Sequence, residues 1–350
     1  MRFVNCELTS NGSRPILNSQ FSIKNRMKHL AAIVCLMLAL ASAGAQDLHF
    51  SQVDADPLLL NPAYAGFFNG TGRFGVIYRN QWASVSIPYE TFAFTGEWAL
   101  HHSDTKQQGL SMGLSLFSDH AGTLNYGTTS AHLSAAYFTA LDRNGSNNLS
   151  VGLDLGYAIS GFDPSQAEMT DPQESFDVNQ TQYPLLGLGL AWYYQPTSIF
   201  HTKVGISVRN INRPNISYLQ ASDIYLERRY SLFARAEYRC WQSASVLPVL
   251  MMQHQGVYNE ILYGADLKWY LSESSAHEVS LRGGFSIRHR DALIANFIME
   301  YDALIMSFCY DANISQLSAA SRYIGAFEIG LVYRVPQLTK KIKALKCPQY

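Results

Sequence analysis

The sequence predicts an all-β protein: a transmembrane, antiparallel, up-and-down β-barrel of about fourteen strands, with twelve as the alternative count, exported behind a signal peptide. Three observations predict it. Charged residues make up only 15% of the chain while aromatics reach 13%, against roughly 25% charge in an average soluble domain. An apolar run of signal-peptide length stands near the N-terminus. Beyond it, apolar and polar residues alternate in segments of about ten residues, the length at which a tilted strand crosses a bilayer. A soluble sandwich also alternates, but its strands are usually about five or six residues long. The formal net charge of −1 offers little to a phosphate backbone, so no nucleic-acid partner is expected.

Residues 1–26 are polar and lack a hydrophobic period. Met27-Lys28-His29 then reads as the real start, followed by the apolar run from Leu30 to Ala41 and the small residues Ala43-Gly44-Ala45. That is a charged region, an apolar core and a cleavage site, with cleavage after Ala45. The run is shorter than the roughly 20 apolar residues a spanning helix needs, so it reads as a leader rather than an anchor. Residues 46–71 follow as a periplasmic N-terminal segment, whose Phe50, Leu58, Leu59 and Leu60 suit it to plug or cap a barrel.

Residues 72–335 form the barrel. Val151, Leu153, Leu155, Tyr157 and Ile159 share one face of their segment, against Gly152, Asp154, Gly156 and Ala158. The same division recurs in 261–271, 279–287 and 325–335. Candidate strands fall at 72–82, 90–101, 109–118, 125–141, 148–160, 183–196, 202–212, 228–240, 246–254, 259–271, 277–288, 292–300, 303–312 and 323–335. An even count puts both ends of the barrel sequence on the periplasmic side, and the long connections 161–182 and 213–227 outside. Aromatics near strand ends (Tyr78, Trp82, Trp192 to Tyr194, Trp269, Tyr270) suit interfacial girdles. Arg79, Asp266, Lys268, Arg282, Glu328 and Arg334 fall on polar faces, which fits a water-filled pore and a plugged, ion-paired interior equally. Residues 336–350 form a basic periplasmic tail carrying Lys340, Lys341, Lys343 and Lys346.

Chemistry is sparse. There is no G-x-S-x-G, H-E-x-x-H, P-loop or C-x-x-C pattern, so no enzyme is expected. His101-His102-Ser103-Asp104 places neighbouring histidines on opposite sides of a strand end, a poor metal site. The acidic connection with Asp163, Glu168, Asp171, Glu174 and Asp177 matches no calcium-loop spacing. Beyond the predicted leader Cys240, Cys309 and Cys347 remain, an odd, widely spaced set that is neither a disulfide framework nor a zinc site. No catalytic residue, cofactor or metal is expected.

The most specific text lies at the two ends. Asp47-Leu48-His49-Phe50-Ser51-Gln52 precedes Leu60-Asn61-Pro62-Ala63-Tyr64-Ala65-Gly66, then Tyr78-Arg79-Asn80-Gln81-Trp82. Tyr310-Asp311-Ala312-Asn313, Gly325-Ala326-Phe327-Glu328 and Cys347-Pro348 follow near the C-terminus. These stretches resemble the PorP/SprF family of type IX secretion and gliding components. Leu48 departs from it, standing where the family commonly has Pro. The resemblance implies an outer-membrane component that supports export or surface anchoring of large adhesins by protein–protein docking. Its implied partners are outer-membrane lipid, periplasmic secretion-machinery proteins and a secreted surface adhesin. The alternative is an outer-membrane diffusion channel or hydrophobic-substrate transporter. The interaction or structural motifs it marks are His49, Phe50, Gln52, Asn61, Pro62, Gly66, Arg79, Asn80, Gln81, Trp82, Tyr310, Asp311, Glu328, Cys347 and Pro348.

Overall fold

A computed structural model describes residues 50–336 except 54, 69, 83–86, 104–107, 164, 166–178, 219–222, 274–276 and 316–317. Of His102, Ser103, Ala319 and Ala320 it describes the backbone only. The leader, His49, the basic tail, Cys347 and Pro348 lie outside the described residues, as does most of the acidic connection.

Fourteen strands close into one antiparallel barrel, which decides the count against twelve. They are β1 (Gly72–Gln81), β2 (Tyr89–Ser103), β3 (Gln108–Ala121), β4 (Tyr126–Ala140), β5 (Asn147–Gly161), β6 (Gln180–Tyr194) and β7 (Phe200–Arg209). The second half comprises β8 (Arg229–Trp241), β9 (Ala244–Gln255), β10 (Tyr258–Glu273), β11 (Glu278–Arg288), β12 (Ala292–Tyr301), β13 (Leu304–Asn313) and β14 (Ile324–Val335). Every strand pairs with its sequence neighbours, and β1 closes the ring on β14 in the register Gly72↔Val335, Arg79↔Glu328. The mouth at which β1 starts and β14 ends is called here the terminal mouth. The connections 162–179 and 210–228 lie at the opposite mouth, with the other odd-numbered ones.

Alternation sorts the side chains as the pleat demands, and the sorting is inverted relative to a soluble protein. Arg79, Glu97, Glu260, Arg288 and Glu328 are buried inside the barrel, whereas Leu153 is 56% and Leu155 60% exposed on the outside. Near the terminal mouth each even strand turns at least one large aromatic outward: Trp98, Tyr137, Trp192, Tyr238 with Trp241, Trp269, Tyr301 and Tyr333. An apolar exterior flanked by aromatics is what a barrel in lipid requires, since closure also leaves no unpaired edge. Two residues expected in the girdle are not there. Tyr193 is buried and stacked on Phe67, and the Tyr270 hydroxyl donates to Glu237. Both stand on the inward parity of their strands, between the outward Trp192 and Tyr194 and beside the outward Trp269.

The described part of the N-terminal segment fills the lumen, as its apolar residues suit it to do, and nearly every described residue from Phe50 to Phe68 is buried. It contains a one-turn helix, α1 (Pro57–Leu60), and a 3-10 turn (Pro62–Tyr64). Proline at the first position of each turn and the caps Asp56 and Asn61 explain why so short a stretch turns twice.

Candidate functional site

The plug is held by its own backbone polar groups, which the lumen wall satisfies one by one. The four carbonyls of α1 have no helix to continue into. Pro57 O accepts from the Asn61 amide at 3.0 Å. Leu58 O and Leu59 O accept from the Arg209 guanidinium at 3.0 and 3.1 Å, Leu59 O also from Arg229 at 3.0 Å, and Leu60 O from the Ser207 hydroxyl at 2.6 Å. Arg209 is itself oriented by Asp154 at 3.0 Å, and Asp154 accepts from Ser134 at 2.9 Å. Asp56 caps α1 through Leu59 N–H and accepts from Ser115 at 2.9 Å.

Asn61 serves three partners. Its Oδ1 accepts from Ala63 N–H at 2.9 Å, and its Nδ2 donates to Leu190 O and Ile206 O, each at 3.1 Å, on the facing strands β6 and β7. This approach needs a wall without side chains. A Cβ at Gly189 would overlap the Asn61 carboxamide, and one at Gly152, its cross-strand partner, would overlap the Pro62–Ala63 backbone. Further along, Gly66 adopts φ +78°, and its N–H donates to Glu97 at 3.1 Å while Glu97 pairs with Arg73.

Near the opposite mouth the segment begins in a buried ion-pair lock. Ser51 N–H and Gln52 N–H donate to the two carboxylate oxygens of Glu328 at 2.7 and 2.9 Å. The Ser51 hydroxyl donates to Asp311 at 2.7 Å and accepts from Arg79 at 3.0 Å. Arg79 pairs with Glu328 and, at 3.2 Å, with Asp311. Arg288 pairs with Asp311 at 3.2 Å and with Glu260 at 3.0 Å, and donates to Ser51. Each charge thus has an opposite neighbour, the first condition under which buried ions are tolerated. Phe50 packs into an apolar cluster with Ile77, Ala93 and Phe117 just below.

The structure therefore brings Phe50, Gln52, Arg79, Asp311 and Glu328 together, with Gln81 accepting from Arg79 at 3.1 Å. Asn61, Pro62 and Gly66 serve the same plug lower down. Asn80, Trp82 and Tyr310 do not join it. Asn80 donates to the Tyr78 hydroxyl on the outer face, Trp82 packs edge-on against Tyr89, and Tyr310 faces outward. Sequence reasoning did not single out Ser51, Glu260 or Arg288 as members of a site. Strand parity was the available signal: 280, 282, 284, 286 and 288 share the inward face of β11.

Comparison with known proteins places the chain. The family described as "Type IX secretion system membrane protein PorP/SprF" matches residues 42–333. No curated protein matches the sequence. Among solved structures, similar barrels include a TodX deltaS2S3 mutant monoaromatic hydrocarbon channel (9% identity, 79% of this chain and 92% of that one, TM-score 0.49). A FadL homologue from Pseudomonas aeruginosa (10%, 80% and 94%, 0.48) and CdiB from Acinetobacter baumannii (8%, 75% and 60%, 0.40) are others. At such identities a likeness is one of fold alone.

Proposed function

From the premise that the chain belongs to the PorP/SprF family of type IX secretion system membrane proteins, we propose that it is a plugged docking component of the outer membrane. It supports export or surface anchoring of large adhesins through protein–protein contacts, and performs no catalysis. One observation carries this reading: the lumen is occupied by the chain's own residues 50–70, hydrogen-bonded to β1, β2, β3, β5, β6, β7, β8, β11, β13 and β14. A barrel evolved for free diffusion has no use for a filling whose carbonyls are held by wall side chains such as Arg209, Arg229, Ser207 and Ser150. Docking uses the outer connections and the periplasmic face instead.

Gene deletion tests it, with surface and secreted proteins compared before and after, alongside a crosslinking pull-down of the tagged barrel. Disappearance of one large adhesin or a set of exported proteins, with periplasmic machinery co-purifying, is the expected result. An unchanged secretome with reduced uptake of a solute would instead make the barrel a transporter. That second reading has one observation behind it. A hollow of about 800 Å³ on the outer wall is lined by Leu188, Ile206, Tyr230, Met252 and Ile261, and is mainly apolar. Single-channel recording separates the two: docking predicts a silent barrel, transport a substrate-sensitive one.

A further inference from the structure

We propose that the lumen near the terminal mouth, beside the plug, holds a binding site for a phosphate group. The site goes beyond the docking reading and does not depend on it, because it rests on the inward faces of the strands alone.

Its first sign is the register. Like charges directly opposite each other weaken a strand pair. Three such pairs nevertheless face the lumen at this end: Arg73 with Arg334 across β1 and β14, Lys203 with Arg235 across β7 and β8, and Lys268 with Arg282 across β10 and β11. All six stand one to six residues from the terminal-mouth ends of their strands. The pairs also converge, since Arg282 stands within electrostatic reach of Lys203, Arg235 and Arg334 across the lumen.

The second sign is the balance of charge. Among the described buried and half-buried residues at this level, the six cations meet four carboxylates, Glu97, Glu237, Asp266 and Glu300. Glu97 pairs with Arg73, and Asp266 with Arg282 at 3.5 Å. Glu300 is shared, 2.9 Å from Lys268 and 3.6 Å from Arg334. Glu237 accepts from the Tyr270 hydroxyl and lies 3.3 Å from His201. Six less four leaves two positive charges in surplus among these residues. The lock at the opposite mouth is the reverse, with Arg79 and Arg288 among Glu260, Asp311 and Glu328. Exposed Glu278 and the Arg239–Glu273 pair stand at the rim, where salt screens them.

The third sign is an open donor. The buried Arg334 Nε–H has no hydrogen-bond partner among the described residues, and a buried donor needs an acceptor. Arg73, Lys268, Arg282, Glu300 and Arg334 each keep between 11% and 16% of their side chain exposed, so a small solute in the lumen reaches them. A phosphate group answers all three signs. It carries about −1.5 to −2 near neutral pH, the size of the surplus, and guanidinium forks bind its oxygens in pairs. A single carboxylate supplies half that charge.

The test is equilibrium dialysis of the purified full chain in detergent against radiolabelled inorganic phosphate, with folding checked by gel mobility. Saturable uptake of one phosphate per barrel is expected. Arg334→Gln is expected to weaken it about tenfold, the loss of one charge-assisted hydrogen bond. Arg334→Lys, which keeps the charge and is the milder change, should fall between. Arg143→Gln removes the same charge from an exposed turn at the same mouth and should bind like the unaltered chain. Glycerol phosphate as competitor separates two sources of the group. Displacement means the site accepts a phosphate carried on a larger solute, and no displacement restricts it to the free ion. The proposal is overturned if the folded, unaltered barrel takes up no phosphate saturably. It is equally overturned if Arg334→Gln binds as well as the unaltered chain, or if Arg143→Gln loses as much, since the phosphate would then be an adventitious ion only.

Discussion

Glu328 shows how much rests on single side chains here. It neutralises Arg79 and receives two plug amides on its two oxygens, so an amide in its place removes a buried charge partner and sets an NH2 against one of the donors. Glu328→Gln is expected to lose about 3–5 kcal/mol, the usual consequence of breaking one side of a buried pair. Denaturant unfolding of the purified barrel measures it, with a rise in conductance as the plug loosens. Arg79→Lys keeps the charge but not the planar fork that reaches Asp311, Glu328 and Gln81 together, so an intermediate loss is expected. Asp56 acts as a cap, accepting from the Leu59 N–H and the Ser115 hydroxyl. Asp56→Asn, which keeps the cap, is expected to hold the plug; Asp56→Ala should lose about 1 kcal/mol.

At the scale of elements, the wall and the plug constrain each other. Strands β5 and β6 meet at the inward pair Gly152 and Gly189, and that bare strip is what lets Asn61 reach two strand carbonyls. Overpacking a close interface usually costs about 1–3 kcal/mol, and the Asn61 carboxamide and the Pro62 ring lie directly against Gly189. Gly189→Val is expected to push the segment out while β6 stays in its ladder. Protease cleavage within residues 50–70 of a barrel that still runs as a folded band on a gel would report that; an intact, resistant segment would refute it. The connection between β7 and β8 is a further constraint, since Leu226 and Ile216 pack with Ala158, Tyr183 and Leu185 at the opposite mouth.

For the whole molecule, two solvents set the design. The exterior faces lipid, so an arginine at mid-strand there is expensive, whereas the lumen holds many charges. Leu153→Arg, at the middle of β5, is expected to destabilise the inserted barrel by about 2–4 kcal/mol. Unfolding from lipid vesicles measures it, and a neutral result would argue against the membrane placement of that face. Deleting residues 50–70 removes the filling but no ladder hydrogen bond within the wall. The truncated barrel is expected to insert and conduct where the complete one is silent.

The sequence by itself determined the wall. Alternation fixes which face of each strand is apolar, because side chains on a pleated strand have no third direction, and a count of fourteen or twelve and the long connections near 161–182 and 213–227 followed from it; closure of the sheet decided for fourteen. It also marked Phe50, Gln52, Arg79, Asp311 and Glu328 as specific text. Only the tertiary structure decided what that text is for. Ser51 and Asp311 lie 260 residues apart in the chain, and local pattern carries no information about partners at such separation. Whether the polar faces line water or grip a plug depends on whether another segment supplies their hydrogen bonds. Closure of β1 on β14 settles that, by bringing the two ends of the sequence into one buried lock.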